Sequence, residues 1–174
     1  MKALPFLGIL LLLSQAPRDR DLEREGEGDR RRDLNAMEGK AAPEIEVDRW
    51  PRGEASSLKG LKGRVVLLQF WSAACGPSRG AVRHLKELHE KYRDKDLVIL
   101  AIHSAESADR APEFIREQQI PYAVAVDRKE GTFARYRVDS TPDYYLVDRK
   151  GILRFADLAN RETERAVVQL LSEK

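Results

Sequence analysis

The run Val65-Val66-Leu67-Leu68-Gln69-Phe70-Trp71 constrains this chain more than any other stretch. Only Gln69 interrupts its apolar character. A strand with one face in water alternates apolar and polar residues, whereas a run apolar on both faces belongs inside a sheet covered on both sides. Pro77 follows shortly, where a helix can begin without losing a needed N–H. Ala81, Val82, Leu85, Leu88 and Tyr92 then recur at helical spacing. A buried strand, a tight loop and an amphipathic helix are the opening of an α/β unit, and the loop carries Cys75, the only cysteine in the chain.

The alternation continues downstream. Residues 97–102 read as a second buried strand and 112–118 as a helix with Phe114 and Ile115 inward. A short strand at 123–126 precedes a short helix at 132–136. Strands at 144–147 and 152–155 are joined by Asp148-Arg149-Lys150-Gly151, a hairpin link. Residues 162–171 close the chain as a helix, with Asn160 as its expected cap. Upstream, Ile45 and Val47 alternate with acidic residues as a short strand. Tyr144 and Tyr145 straddle a strand, so one ring is expected to face the core and the other outward, toward the groove. Trp50 reads as core or edge packing. Together these elements predict an α/β fold with a central mixed β-sheet flanked by helices.

Before residue 41 the chain changes character. Met1-Lys2, the apolar run ALPFLGILLLL and the small residues Ser14 and Ala16 read as a secretory signal peptide over 1–16. The apolar run is about half the ~20 residues a spanning helix needs, so no stable membrane span is expected after cleavage. Pro17 disfavours cleavage, and an uncleaved membrane anchor is the alternative. Residues 17–40 mix both charge signs with few apolar residues and read as a charged flexible linker; a charged helix is the alternative. The domain proper is expected over 41–174. These assignments predict a periplasmic or extracellular protein, membrane-tethered if the signal is retained.

Charge gives no case for nucleic acid. The net charge is +2 with 34% charged residues, and the two signs are interspersed. One cysteine excludes an intramolecular disulfide and a cysteine-rich zinc site. The three histidines are His84, His89 and His103. His84 and His89 do not share the i, i+4 face of helical metal pairs, and His103 ends a strand near Cys75. No metal or other cofactor is expected.

A cysteine just before a helix sits near unpaired backbone N–H groups and the positive end of the helix dipole, which favour thiolate over thiol. Thiolate is the nucleophile toward disulfides and peroxides. The plainer reading of Cys75 is a small buried residue, which its place at a strand-to-helix loop argues against.

The segment VVLLQFWSAACGPS with its following helix resembles the thioredoxin superfamily, in particular the TlpA-like thiol-disulfide oxidoreductases, or redoxins. The segments QQIPYAVAVD and YRVDSTPDYYLVDRKGILRF extend that resemblance from about Ala41 to the C-terminus. It implies a thioredoxin-like fold and a motif of Trp71, Cys75, Gly76, Pro77 and Ser78. It also implies a cis proline at Thr141-Pro142 facing the cysteine and offering backbone groups to a substrate. Cys75 matches the attacking cysteine. Ser78 stands where the family has its resolving cysteine, Ala74 where an aromatic residue often precedes the first cysteine, and Gln69 where thioredoxins carry a buried carboxylate.

A hydroxyl is too weak a nucleophile at neutral pH to resolve a mixed disulfide. One reading is therefore a single-cysteine oxidoreductase whose adducts are resolved by an external thiol. Its partners would be a thiol- or disulfide-bearing client protein or a low-molecular-weight thiol. The other is a non-catalytic binding or chaperone module that keeps the groove without turnover.

Overall fold

The computed structural model describes residues 21–173; the expected signal segment at 1–16 lies outside them. Six strands form one sheet in the order β1-β4-β3-β2-β5-β6. They are β1 Arg49–Arg52, β2 Val65–Trp71, β3 Leu97–His103, β4 Ala123–Val126, β5 Asp143–Val147 and β6 Leu153–Phe155. The helices are α1 Gly28–Met37, α2 Gly76–Tyr92, α3 Ala111–Glu117, α4 Gly131–Tyr136 and α5 Thr163–Ser172. β2 pairs parallel with β3 and β3 with β4, while β1, β5 and β6 run antiparallel to their neighbours. The mixed sheet expected from the sequence is the one observed, and the fold is thioredoxin-like.

β2 is buried at every position, which is why its sequence never alternates. One face packs Leu67, Trp71 and Val65 against Ala81, Val82, Leu85 and Leu88 of α2 and Val167 of α5. The other packs Leu68 and Phe70 against Phe133 and Tyr136 of α4 and Leu34 of α1. At about 25 cal/mol per Å² of apolar surface, these two layers dominate the stability. Tyr144 belongs to the first layer and Tyr145 to the second, and both are buried. The expected outward tyrosine does not exist, because helices cover both faces of β5. Trp50 is half-buried on the edge strand β1 and packs on the second layer, as expected.

The expected strand at Ile45–Val47 is replaced by extended chain leading to β1. The Thr132 side chain satisfies the Glu46 backbone instead of a strand partner: Glu46 N–H donates to Oγ1 (2.9 Å) and Oγ1 donates to the Glu46 carbonyl (2.6 Å). Asn160 does not cap α5 through its side chain. A 3-10 turn over Asn160–Glu162 leads in, and the Thr163 hydroxyl donates to the Asn160 carbonyl (2.8 Å).

The expected flexible linker does not describe residues 21–40, which are packed. Leu22 and Leu34 are buried in opposite layers. The backbone runs along the sheet edge: Glu25 N–H donates to the Asp157 carbonyl (2.8 Å), and Gly39 N–H to the Leu153 carbonyl (2.8 Å). Arg24 grips Glu38 through Nε (2.6 Å) and Nη2 (2.8 Å). Arg30 lies 2.5 Å from Asp157 and 3.2 Å from Asp143, both carboxylates buried beneath it. Its Nε is also 2.7 Å from Asp139. Composition misleads here because the arginines have buried partners far away in sequence. The segment also covers the outer edge at β6, which would otherwise offer unpaired backbone groups to other chains.

Candidate active site

β2 ends at Trp71 and α2 begins at Gly76, with Cys75 as the residue preceding the helix and Pro77 in its first turn. Cys75 is half-buried. The Thr141–Pro142 peptide is cis, and the Cys75 thiol donates to the Thr141 carbonyl at 3.0 Å. The structure therefore brings Cys75, Ser78, Thr141 and Pro142 to one end of the sheet.

Ser78 is fully buried. Its Oγ accepts from the Ser72 N–H at 3.4 Å, which leaves the hydroxyl proton for the cysteine sulfur. Burial pushes the Cys75 thiol up. Hydrogen bonds from the Ser78 side chain, the Thr141 side chain and the Ser78 backbone, with the Arg79 charge, more than offset it, so its pKa lies below the ordinary thiol value. The Thr141 carbonyl works the other way, since only a protonated thiol can donate to it.

His103, at the end of the strand beside this loop, belongs to the same neighbourhood. It is fully buried and hydrogen-bonded at both ring nitrogens. Ala73 N–H donates to its Nε2 (2.8 Å), so the proton sits on Nδ1, which donates to the Ser104 carbonyl (2.7 Å). Burial holds its pKa below the ordinary imidazole value, which keeps the ring neutral and the Ala73 bond intact. Trp71 lies opposite His103 in the strand register and meets it edge to face, with centroids 4.6 Å apart. His103 thus ties the end of β3 to the loop that presents Cys75. The sequence signal was a histidine ending a buried strand, which alone does not tell a hydrogen-bonded anchor from a ligand.

Gln69 is buried, with Nε2 3.5 Å from the Tyr144 hydroxyl, so an amide occupies the interior beneath the motif. Asp143 directly follows Pro142. Burial first, then the nearby Asp157, pushes its carboxyl up to about 7, against the Ser140 hydrogen bond and the Arg30 charge. Nothing in the residue pattern pointed to this acidic pair, because its cation comes from α1. Among the described residues, no group of three His, Cys, Asp or Glu is placed to hold a metal.

The model of the AhpC/TSA family matches residues 39–156. The chain belongs to the AhpC/TSA family. Within this redoxin family the thioredoxin-like protein YneN of Bacillus subtilis is 32% identical over 127 residues, covering 71% of this chain and 73% of YneN. The thiol-disulfide oxidoreductase ResA of Bacillus cereus is 31% identical over 113 residues. That match covers 65% of each chain, so this AhpC/TSA protein spans slightly under two thirds of ResA. A crystal structure of a thiol-disulfide isomerase from Corynebacterium glutamicum superposes with a TM-score of 0.65 at 28% identity, covering 76% of this chain and 98% of that one. The resemblance read from FWSAACGPS and the cis-proline segment is therefore correct at the level of family and fold.

Proposed function

We propose that this protein exchanges disulfides through Cys75 alone. The observation that carries the reading is the pairing of an activated Cys75 with a buried, hydrogen-bonded Ser78 at the resolving position. The Cys75 thiolate attacks one sulfur of a client disulfide, forming a mixed disulfide and releasing the other sulfur as thiolate. A low-molecular-weight thiol, as thiolate, then attacks the client sulfur of the adduct. Cys75 leaves as thiolate and the client departs as a mixed disulfide with the small thiol. No net electrons move, so the cycle needs no second cysteine. Arg79 and the Ser78 hydroxyl stabilise Cys75 as nucleophile and as leaving group. The backbone at Thr141 beside the sulfur offers an extended client a strand partner, supported by the thiol's own bond to that carbonyl.

The pH dependence of Cys75 alkylation in the full chain tests the reading, with Cys75→Ser as the blank. The expected apparent pKa lies clearly below the ~8.5 of a free cysteine. An unshifted value would overturn exchange and leave the groove as a holding site for clients, which is the binding-module alternative.

We also infer export. The apolar run at residues 3–13 with Ser14 and Ala16 supports it, and no described helix is long and apolar enough to cross a membrane. Fractionated cells should show the protein outside the cytoplasm, shortened by about the length of that leader. A full-length cytoplasmic product would refute this assignment.

A further inference from the structure

A cavity of about 270 Å³ is lined by Ser72, Ser104, Glu106, Glu130, Asp139 and Thr141 among others, and it neighbours the sulfur through Thr141, whose carbonyl accepts from the Cys75 thiol at 3.0 Å. It holds three carboxylates, and no lysine or arginine lines it. Asp139 is met by Arg30. Glu106 and Glu130 are exposed and have no ion-pair partner among the described residues. Ser104 is only 7% exposed, and its buried hydroxyl has no hydrogen-bond partner. A polar group left unpaired in the wall of a cavity is a costly feature that a ligand's polar group would relieve.

The two free carboxylates stand on fixed loops. The Ser72 hydroxyl donates to the Glu106 carbonyl at 3.4 Å, tying that loop to the one carrying Cys75. Asp127 accepts from the N–H groups of Gly131 (3.1 Å), Thr132 (2.7 Å) and Phe133 (3.0 Å), which holds the turn bearing Glu130. The positive charge near the sulfur sits elsewhere. Arg79 is on α2, its guanidinium 3.4 Å from the Ala73 carbonyl. Cys75 thus has a cation on the helix side, favouring the thiolate, and an anionic cavity on the other.

We propose that this cavity selects the client: Cys75 exchanges preferentially with cysteines that have a lysine or arginine close by, whose cation seats between Glu106 and Glu130. The proposal rests on the exchange reading and names its substrate class. Anionic thiol carriers are disfavoured by the same field.

Three short peptides test it, each with one cysteine joined to thionitrobenzoate and differing only in a neighbouring Lys, Gln or Glu. The Cys75 thiolate of the full-length protein attacks the peptide sulfur, forms the Cys75–peptide disulfide and releases the coloured thionitrobenzoate thiolate, one per protein. At low salt the Lys peptide should react about tenfold faster than the Glu peptide, with the Gln peptide between them. The ratio should shrink toward one at ~1 M salt, where the Debye length is about 3 Å. In the doubly substituted Glu106→Gln, Glu130→Gln protein the Lys-to-Glu ratio should fall by about fivefold. Both side chains are exposed, so the substitutions leave the fold intact, and each protein's own ratio is the readout. Equal rates for all three peptides, or a ratio the double substitution does not change, overturn the charge selection while exchange stands. No release from any peptide overturns the exchange reading itself, and this proposal with it.

Discussion

Ser78→Cys should convert this protein into a dithiol reductase, raising disulfide-reduction turnover with a small-thiol reductant by about a hundredfold or more. The Ser78 side chain already lies near enough to the Cys75 sulfur to lower its pKa. A thiol there replaces a bimolecular resolving step with an intramolecular one, and effective molarities of oriented groups far exceed millimolar thiol. The buried site accepts sulfur for oxygen with little change of shape, and the Ser72 N–H loses only a long bond of 3.4 Å. Turnover in an insulin-reduction assay and a count of free thiols after mild oxidation give the answer together. A variant that closes a disulfide between Cys75 and the introduced thiol yet shows no gain would place the block elsewhere, at Gln69 or Ala74. A variant that gains turnover shows the site complete but for one atom.

Arg30→Met should cost about 3–5 kcal/mol of stability at neutral pH and above, the usual effect of removing one partner from a buried charge cluster. Asp143 and Asp157 are each exposed by no more than 2% and share this one guanidinium. The loss should depend on pH with a definite sign. Asp143 titrates at about 7 in the native protein, above the ordinary carboxyl value. Between about pH 4 and 7 the native state holds a proton the unfolded chain has released, so this group's contribution to stability falls as pH rises through that window. Without Arg30 the carboxyl titrates higher still, and the window extends upward. The penalty should therefore be smaller near pH 5, where a neutral Asp143 needs no cation and the Asp157 contact is the main loss, and larger near pH 8. Urea denaturation of both proteins at the two pH values measures it. A loss below about 1 kcal/mol, or one equal at both pH values, would show that the arm is not what makes the acidic pair tolerable.

The centre of the fold was legible because burial on two faces leaves a plain mark on sequence. The runs at Val65–Trp71 and 97–102 read as inner strands and the α2 stripe from Ala81 to Tyr92 as the face laid on them, and the structure has both. Cys75, Pro77, Ser78 and Pro142 were found by motif, and the structure gathers them. The residues that were misread depend on partners distant in sequence. Glu46 pairs with Thr132, 86 positions away, so its strand-like alternation had no strand to join. Arg30 reaches Asp157 across 127 positions, and charge counting sees only a solvated stretch. His103 takes its role from a backbone N–H, which no side-chain pattern records. Tyr144 and Tyr145 were split correctly between the two faces of the sheet, but which faces are covered depends on where the helices come to rest.

The loop bearing Cys75 is held by His103 at the Ala73 N–H, by the Ser72 carbonyl at the Cys75 N–H (3.1 Å) and by Ser78 at the Ser72 N–H. None of these bonds involves sulfur. An adduct on the sulfur would keep these three bonds and remove one other, the thiol's own bond to the Thr141 carbonyl at 3.0 Å. The cis-proline segment, not the loop bearing Cys75, is therefore where a capped sulfur and a free thiol would differ.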